Sequence, residues 1–266
     1  MPESAEVKLT TEFLHEALEN ELIISWDFVS GQYRTKLALG FEQFKKGLPI
    51  TVLAVKCKGK FIYFECTTRD KKPLYILHHL RLTGSWRNVL EEKCRWVVQL
   101  QSGRKLWYYD SRCLGILQFT TEKSDLNAQL CSLGPDILTE QFNLECWRKL
   151  VQSYAGKNVT AFLMDQSIIS GCGNYIKAEA LYEAKISPFR KVGSLSENEA
   201  EQLFQAIRMI PRRAYVGKGM TKRDYTDPQG NKTDYRFELK IYGTDRAKKE
   251  KTPDGRMTHW DPEHQK

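Results

Sequence analysis

The 266-residue sequence predicts an α+β protein of two domains, a β-sandwich or barrel with an N-terminal helix followed by a helical domain. Three observations carry this. One amphipathic segment opens the chain, short β-rich runs crowd the stretch from Leu22 to Thr120, and helical periodicity takes over beyond Leu133-Gly134-Pro135-Asp136. The boundaries that follow are a β domain over 1–132, a helical domain over 133–235, and a tail over 236–266.

From Ser4 to about Glu21, Leu9, Phe13, Ala17 and Leu18 recur at helical spacing, with Glu12, Glu16 and Glu19 on a solvated face. Ser4 is the candidate cap of this helix, which would hold the N-terminus rigidly. The β-rich runs are Leu22–Val29, Ile50–Val55, Phe61–Cys66, Leu74–Leu80, Trp96–Leu100, Leu106–Tyr109 and Ile116–Phe119. Lys58-Gly59, Arg69–Pro73 and Ser102-Gly103 punctuate them as turns, the pattern of a two-layer sandwich or barrel. Leu133–Asp136 reads as a linker. Helices are then expected at Asn143–Tyr154, Val159–Asp165, Asn174–Ala184 and Glu197–Tyr215. Val216–Asp234 is rich in Gly, Lys and Asp and reads as a loop. In the tail, Phe237–Tyr242 and Arg256–Trp260 are the expected strands of an antiparallel hairpin that turns at Pro253-Asp254-Gly255.

Lys and Arg number 41 against 33 Asp and Glu, a net charge of +8 that favours a polyanionic partner. The seven cysteines include no CxxC pair, which argues for reduced thiols in an intracellular compartment. Only His78-His79 are adjacent among five histidines, so no metal site is expected. No apolar run approaches the roughly 18 residues of a membrane span.

Two stretches carry chemistry. Met1-Pro2-Glu3 favours removal of Met1, which would leave Pro2 as a free secondary amine beside a carboxylate. Such an amine condenses with an aldehyde carbon to a charged iminium, an electron sink for elimination, and Glu3 stands where a general acid or base is wanted. Most Met-Pro starts carry no such role. The second stretch, 164–188, reads MDQSIISGCGNYIKAEALYEAKISP. A short helix ends near Asp165, Ser170–Gly173 turn, and a new helix opens at Asn174, a good N-cap, with free N–H groups for an anion.

With its flanks this run resembles the helix–two-turn–helix of the formamidopyrimidine-DNA glycosylase/endonuclease VIII family, whose members also begin with a processed Pro-Glu. The resemblance covers nearly the whole chain. It implies that Pro2 is the Schiff-base nucleophile, Glu3 the proton-transfer carboxylate, and Glu6 a second acid with a structural part near the site. Lys60 matches a lysine that contacts phosphate and assists catalysis, and Asn174 a phosphate-binding asparagine. Leu82 stands where the family fills the emptied duplex, Arg112 faces the orphaned base, and Leu114 replaces a wedging aromatic, which stacks less well. No cysteine follows Cys172, so the tail resembles the zincless finger of the vertebrate and large-DNA-virus branch, with Arg256 gripping phosphates by a planar fork.

The resemblance implies a bifunctional DNA glycosylase and AP lyase of base excision repair, both hydrolase and lyase. It would remove oxidised pyrimidines and hydantoins from damaged DNA, duplex or single-stranded, as a monomer without metal or organic cofactor. The loop Gly217–Asp234 would set substrate choice. The rivals are a catalytically silent DNA-binding relative and a structural RNA-binding protein. Neither accounts for Pro2-Glu3 as well.

Overall fold

The computed structural model describes residues 2–219 and 239–266. Met1, nearly all of the expected loop Gly217–Asp234, and the first two residues of the run Phe237–Tyr242 lie outside the described residues. The chain forms two compact units. The first is built chiefly from Pro2 and Glu6–Cys131, the second from Glu3–Ala5, Ser132–Gly217 and the described residues from Leu239 onward.

The first unit runs α1 (Ser4–Leu18), β1 (Leu22–Phe28), α2 (Phe41–Lys46), β2 (Ile50–Lys58), β3 (Phe61–Thr68), β4 (Pro73–His79), β5 (Gly84–Arg87), β6 (Cys94–Leu100), β7 (Lys105–Asp110), β8 (Ile116–Thr120) and α3 (Lys123–Cys131). Its strands join in the order β5-β7-β6-β1-β2-β3-β4-β8, and every ladder between them is antiparallel. The β1–β2 ladder holds only Leu22↔Thr51 and Ile23↔Ile50, so the two halves of the sheet are free to fold over one another there. Side chains from the two halves then meet face to face. Trp26 on β1 makes edge-to-face contacts with Phe64 on β3 at 6.4 Å and with Phe119 on β8 at 5.5 Å. This is the expected β-sandwich, with the expected helix at its start. The expected cap at Ser4 does not form: Ser4 is helical, and its hydroxyl is buried without a hydrogen-bond partner.

His78 on β4 crosses the same interior. Its Nδ1 lies 2.9 Å from the Ile116 carbonyl and its Nε2 3.2 Å from the Trp86 indole nitrogen. These partners assign a neutral ring with Nδ1–H donating and Nε2 accepting. Burial drives its pKa down to about 3, against a smaller upward pull from the Ile116 carbonyl.

All seven expected strands form, and α2, β5 and α3 are additions. The six residues of α2 are too few for a readable period, yet Phe44 packs on Phe119 at 4.3 Å. All four residues of β5 are buried, which erases the alternation that marks a strand.

The second unit contains α4 (Leu144–Ser153), α5 (Val159–Met164), α6 (Asn174–Glu183), α7 (Glu197–Val216), β9 (Lys248–Lys251) and β10 (Met257–Trp260). Trp147, Phe142, Phe162 and Phe204 interlock at its core. Ser196 and Glu199 cap α7 reciprocally. Leu133–Asp136 is not a free linker. Gly134 donates to the Gln166 carbonyl at 2.9 Å and Pro135 accepts from Ser170 at 3.0 Å, so the segment is fastened to the turn after α5.

The tail hairpin exists in a different register of sequence. Its strands are β9 and β10, paired Lys251↔Met257 through Lys248↔Trp260, and the expected strand Phe237–Tyr242 is not one over its described residues. The physical reason is a buried carboxylate. Glu179 on α6 accepts the N–H groups of Lys240 and Ile241 at 2.9 Å and of Tyr242 at 2.6 Å, which bends the backbone around it. Among the described residues no helix is long and apolar enough to cross a membrane.

Candidate active site

Helix α6 opens without a cap of its own. Its N-cap is Gly173, which has no side chain to offer, and Asn174 is the first helical residue rather than the cap expected from the sequence. The vacant role falls to Glu3. Its carboxylate accepts the N–H of Tyr175 at 2.9 Å and that of Ile176 at 3.2 Å, the second and third positions of the helix, where a capping side chain normally acts. A negative charge there is also favoured by the helix dipole. Glu3 is 1% exposed. Gly173 is what lets it in, because a Cβ at that position would fall inside the Glu3 carboxyl group.

Pro2 is covalently next to this fixed carboxylate and is itself buried. Glu6, in the first turn of α1, is 1% exposed.

Asn174 turns its side chain toward the hairpin, and its Nδ2 donates to the Met257 carbonyl at 3.1 Å. One amide hydrogen is used and the second remains for another acceptor. Arg256 precedes Met257, and its side chain is exposed. The structure therefore brings Asn174 and Arg256 onto one patch of the second unit.

In the first unit, Lys60 stands in the β2–β3 turn after Gly59, whose φ of +58° is left-handed. The half-buried ring of His79 holds the Lys60 backbone. Leu82 sits in the β4–β5 turn, half-buried. Arg112 and Leu114 lie between β7 and β8, both exposed. These two turns share one buried carboxylate that sequence reasoning missed. Asp110 accepts the Thr83 hydroxyl and the Arg112 N–H through Oδ1, and the Leu114 and Gly115 N–H groups at 2.7 Å through Oδ2. Thr83 also accepts the Arg112 N–H at 3.2 Å. Leu82 and Arg112, thirty residues apart, are thereby set by a single network. Its only trace in the sequence is the Asp that opens Asp110-Ser111-Arg112-Cys113-Leu114-Gly115.

Both units of the chain match known proteins. Residues 1–117 match the formamidopyrimidine-DNA glycosylase N-terminal domain and residues 133–225 the formamidopyrimidine-DNA glycosylase H2TH domain. The formamidopyrimidine-DNA glycosylase of Desulfitobacterium hafniense is 32% identical over 254 residues, spanning 91% of this chain and 89% of the relative. That of Legionella pneumophila is 31% identical over 250 residues, spanning 91% and 88%. The MutM (Fpg) protein of Thermus thermophilus superposes with a TM-score of 0.85 at 26% identity, covering 99% of this chain and 98% of its own. The Lactococcus lactis Fpg bound to abasic-site DNA does so with a TM-score of 0.85 at 25% identity, covering 100% of both chains.

Proposed function

The chain belongs to the formamidopyrimidine-DNA glycosylase/endonuclease VIII family, and from that premise we propose that it is a bifunctional DNA glycosylase and AP lyase of base excision repair that works through Pro2. Its partner is damaged DNA, and its preferred lesions are oxidised pyrimidines and hydantoins.

With Met1 removed, the Pro2 nitrogen attacks C1′ of an everted nucleotide. The C1′–base bond breaks and the base leaves, taking a proton from water. The Glu3 carboxylate takes the proton that the Pro2 nitrogen releases on attack and passes it to O4′ as the sugar ring opens, which gives an iminium between Pro2 and C1′. Loss of the acidified C2′ proton expels the 3′-phosphate, and a second elimination expels the 5′-phosphate. Lys60, Asn174 and Arg256 neutralise backbone phosphates around the lesion. Leu82, Arg112 and Leu114 occupy the space the base has left.

The observation that carries the reading is the fixed Glu3 carboxylate next to Pro2. A general acid must be held in place before it can act, and two backbone N–H groups hold this one. A panel of duplexes bearing thymine glycol, a hydantoin or formamidopyrimidine tests the substrate class. Faster release of the first two supports the proposal, and preference for formamidopyrimidine overturns the lesion assignment.

A further inference from the structure

The β9–β10 hairpin has four residues per strand, and an isolated two-stranded hairpin is marginal in water. Its turn, Thr252–Arg256, nonetheless carries the exposed Arg256. A buried ion pair fastens this turn to α6. Lys177 Nζ lies 2.6 Å from Asp254 Oδ2, with the two side chains 0% and 2% exposed. The other Asp254 oxygen organises the turn itself, since Oδ1 accepts the Thr252 hydroxyl at 2.5 Å and the Arg256 N–H at 3.4 Å. Burial pulls the Lys177 pKa down, with the Asp254 contact opposing it. Burial pushes the Asp254 carboxyl up, but the hydrogen bonds from Lys177 and Thr252 outweigh this and leave it below its ordinary value.

A buried ion pair is a poor source of net stability, because desolvation cancels much of the attraction. What it supplies here is geometry. Lys177 follows Asn174 by one helical turn on α6, and Met257 follows Asp254 by the same three residues. Asn174–Met257 and Lys177–Asp254 are therefore two parallel ties between one helix face and one turn.

We propose that Lys177 and Asp254 are positioning residues for DNA binding, holding the hairpin turn on α6 so that the Arg256 fork and the Asn174 amide meet phosphates together. This rests on the reading of Arg256 as a phosphate ligand. Neither Lys177 nor Asp254 needs to touch DNA.

The test is the affinity of the full chain for a duplex carrying a tetrahydrofuran abasic-site analogue, measured against salt concentration. The variants are Arg256→Ala, Lys177→Met, Asp254→Asn and the combination Lys177→Met with Arg256→Ala. Loss of one phosphate contact lowers the slope of log affinity against log salt by about 0.9. Arg256→Ala is expected to show that loss. Lys177→Met and Asp254→Asn are expected to show most of it with Arg256 still present, and Lys177→Met to add less than about twofold once Arg256 is gone. Near-ultraviolet circular dichroism reports whether each variant is folded. If a single variant does not fold, the apolar pair Lys177→Met with Asp254→Leu replaces it, a change that buried ion pairs often tolerate. Unchanged slopes in the ion-pair variants beside a lowered slope in Arg256→Ala overturn the proposal and leave Arg256 as a ligand. So does an equal effect of Lys177→Met with and without Arg256, which would mark general damage. An unchanged slope in Arg256→Ala overturns the phosphate reading itself, and the proposal with it.

Discussion

The carboxylate of Glu3 accepts the backbone N–H of Tyr175 at 2.9 Å across 172 residues of sequence, and Gly173 is the residue that leaves room for it. Gly173→Ala is therefore expected to act like Glu3→Gln, by dislodging the carboxylate rather than by deforming a loop. Base release in single-turnover experiments should fall roughly 100-fold or more in both variants, the usual scale of a lost general acid. Binding to the abasic-site analogue should change little. A Gly173→Ala enzyme with normal base release would show that Glu3 works from another position.

His78 predicts a specific acid sensitivity. Its folded pKa, lowered to about 3, lies below the unfolded value of about 6.5, so the unfolded chain binds the extra proton between those limits. Stability from this group is whole above about pH 6.5 and is lost as pH falls, by about 1.4 kcal/mol per unit. Roughly 2 kcal/mol should be gone by pH 5. His78→Gln keeps a donor and an acceptor without the titration, so its unfolding free energy should be flatter over this range. Parallel pH profiles for the two proteins would contradict the assignment.

Asp110 holds the turns that carry Leu82 and Arg112. Asp110→Asn replaces by an NH2 one of two oxygens that each accept two donors, Thr83 and Arg112 on one and Leu114 and Gly115 on the other. A cost of about 3 kcal/mol in denaturant unfolding is expected for buried donors left without an acceptor. Where the protein stays folded, discrimination among bases opposite the lesion should weaken more than the rate of base release. Equal loss of both would place Asp110 in the chemistry instead.

Much of the fold was legible because its strands and helices are long enough to show a period. The runs that become β7 and β8 alternate, and α7 carries both a capping box and an amphipathic stripe. What leaves no period in the sequence is short or non-local. The strand Lys248-Lys249-Glu250-Lys251 has no apolar alternation, because its pairing rests on the backbone and its side chains are mostly exposed. Phe237–Tyr242 looked like the better strand until the Glu179 carboxylate claimed the N–H groups of Lys240, Ile241 and Tyr242. In the candidate site, residue types and motifs pointed to Pro2, Glu3, Lys60, Asn174 and Arg256. The contacts that hold such residues in place, Glu3 with Gly173, Asp110 with Thr83, and Lys177 with Asp254, join positions far apart in the chain and leave no local pattern.

The central claim is that the chemistry runs through the Pro2 amine once Met1 is gone. Borohydride reduction during reaction with abasic-site DNA, followed by mass spectrometry of the trapped peptide, tests it most directly. The account predicts a reduced adduct on an N-terminal Pro2, absent when Met1 or a tag is retained. An adduct on a lysine, or trapping undiminished with Met1 in place, would contradict it.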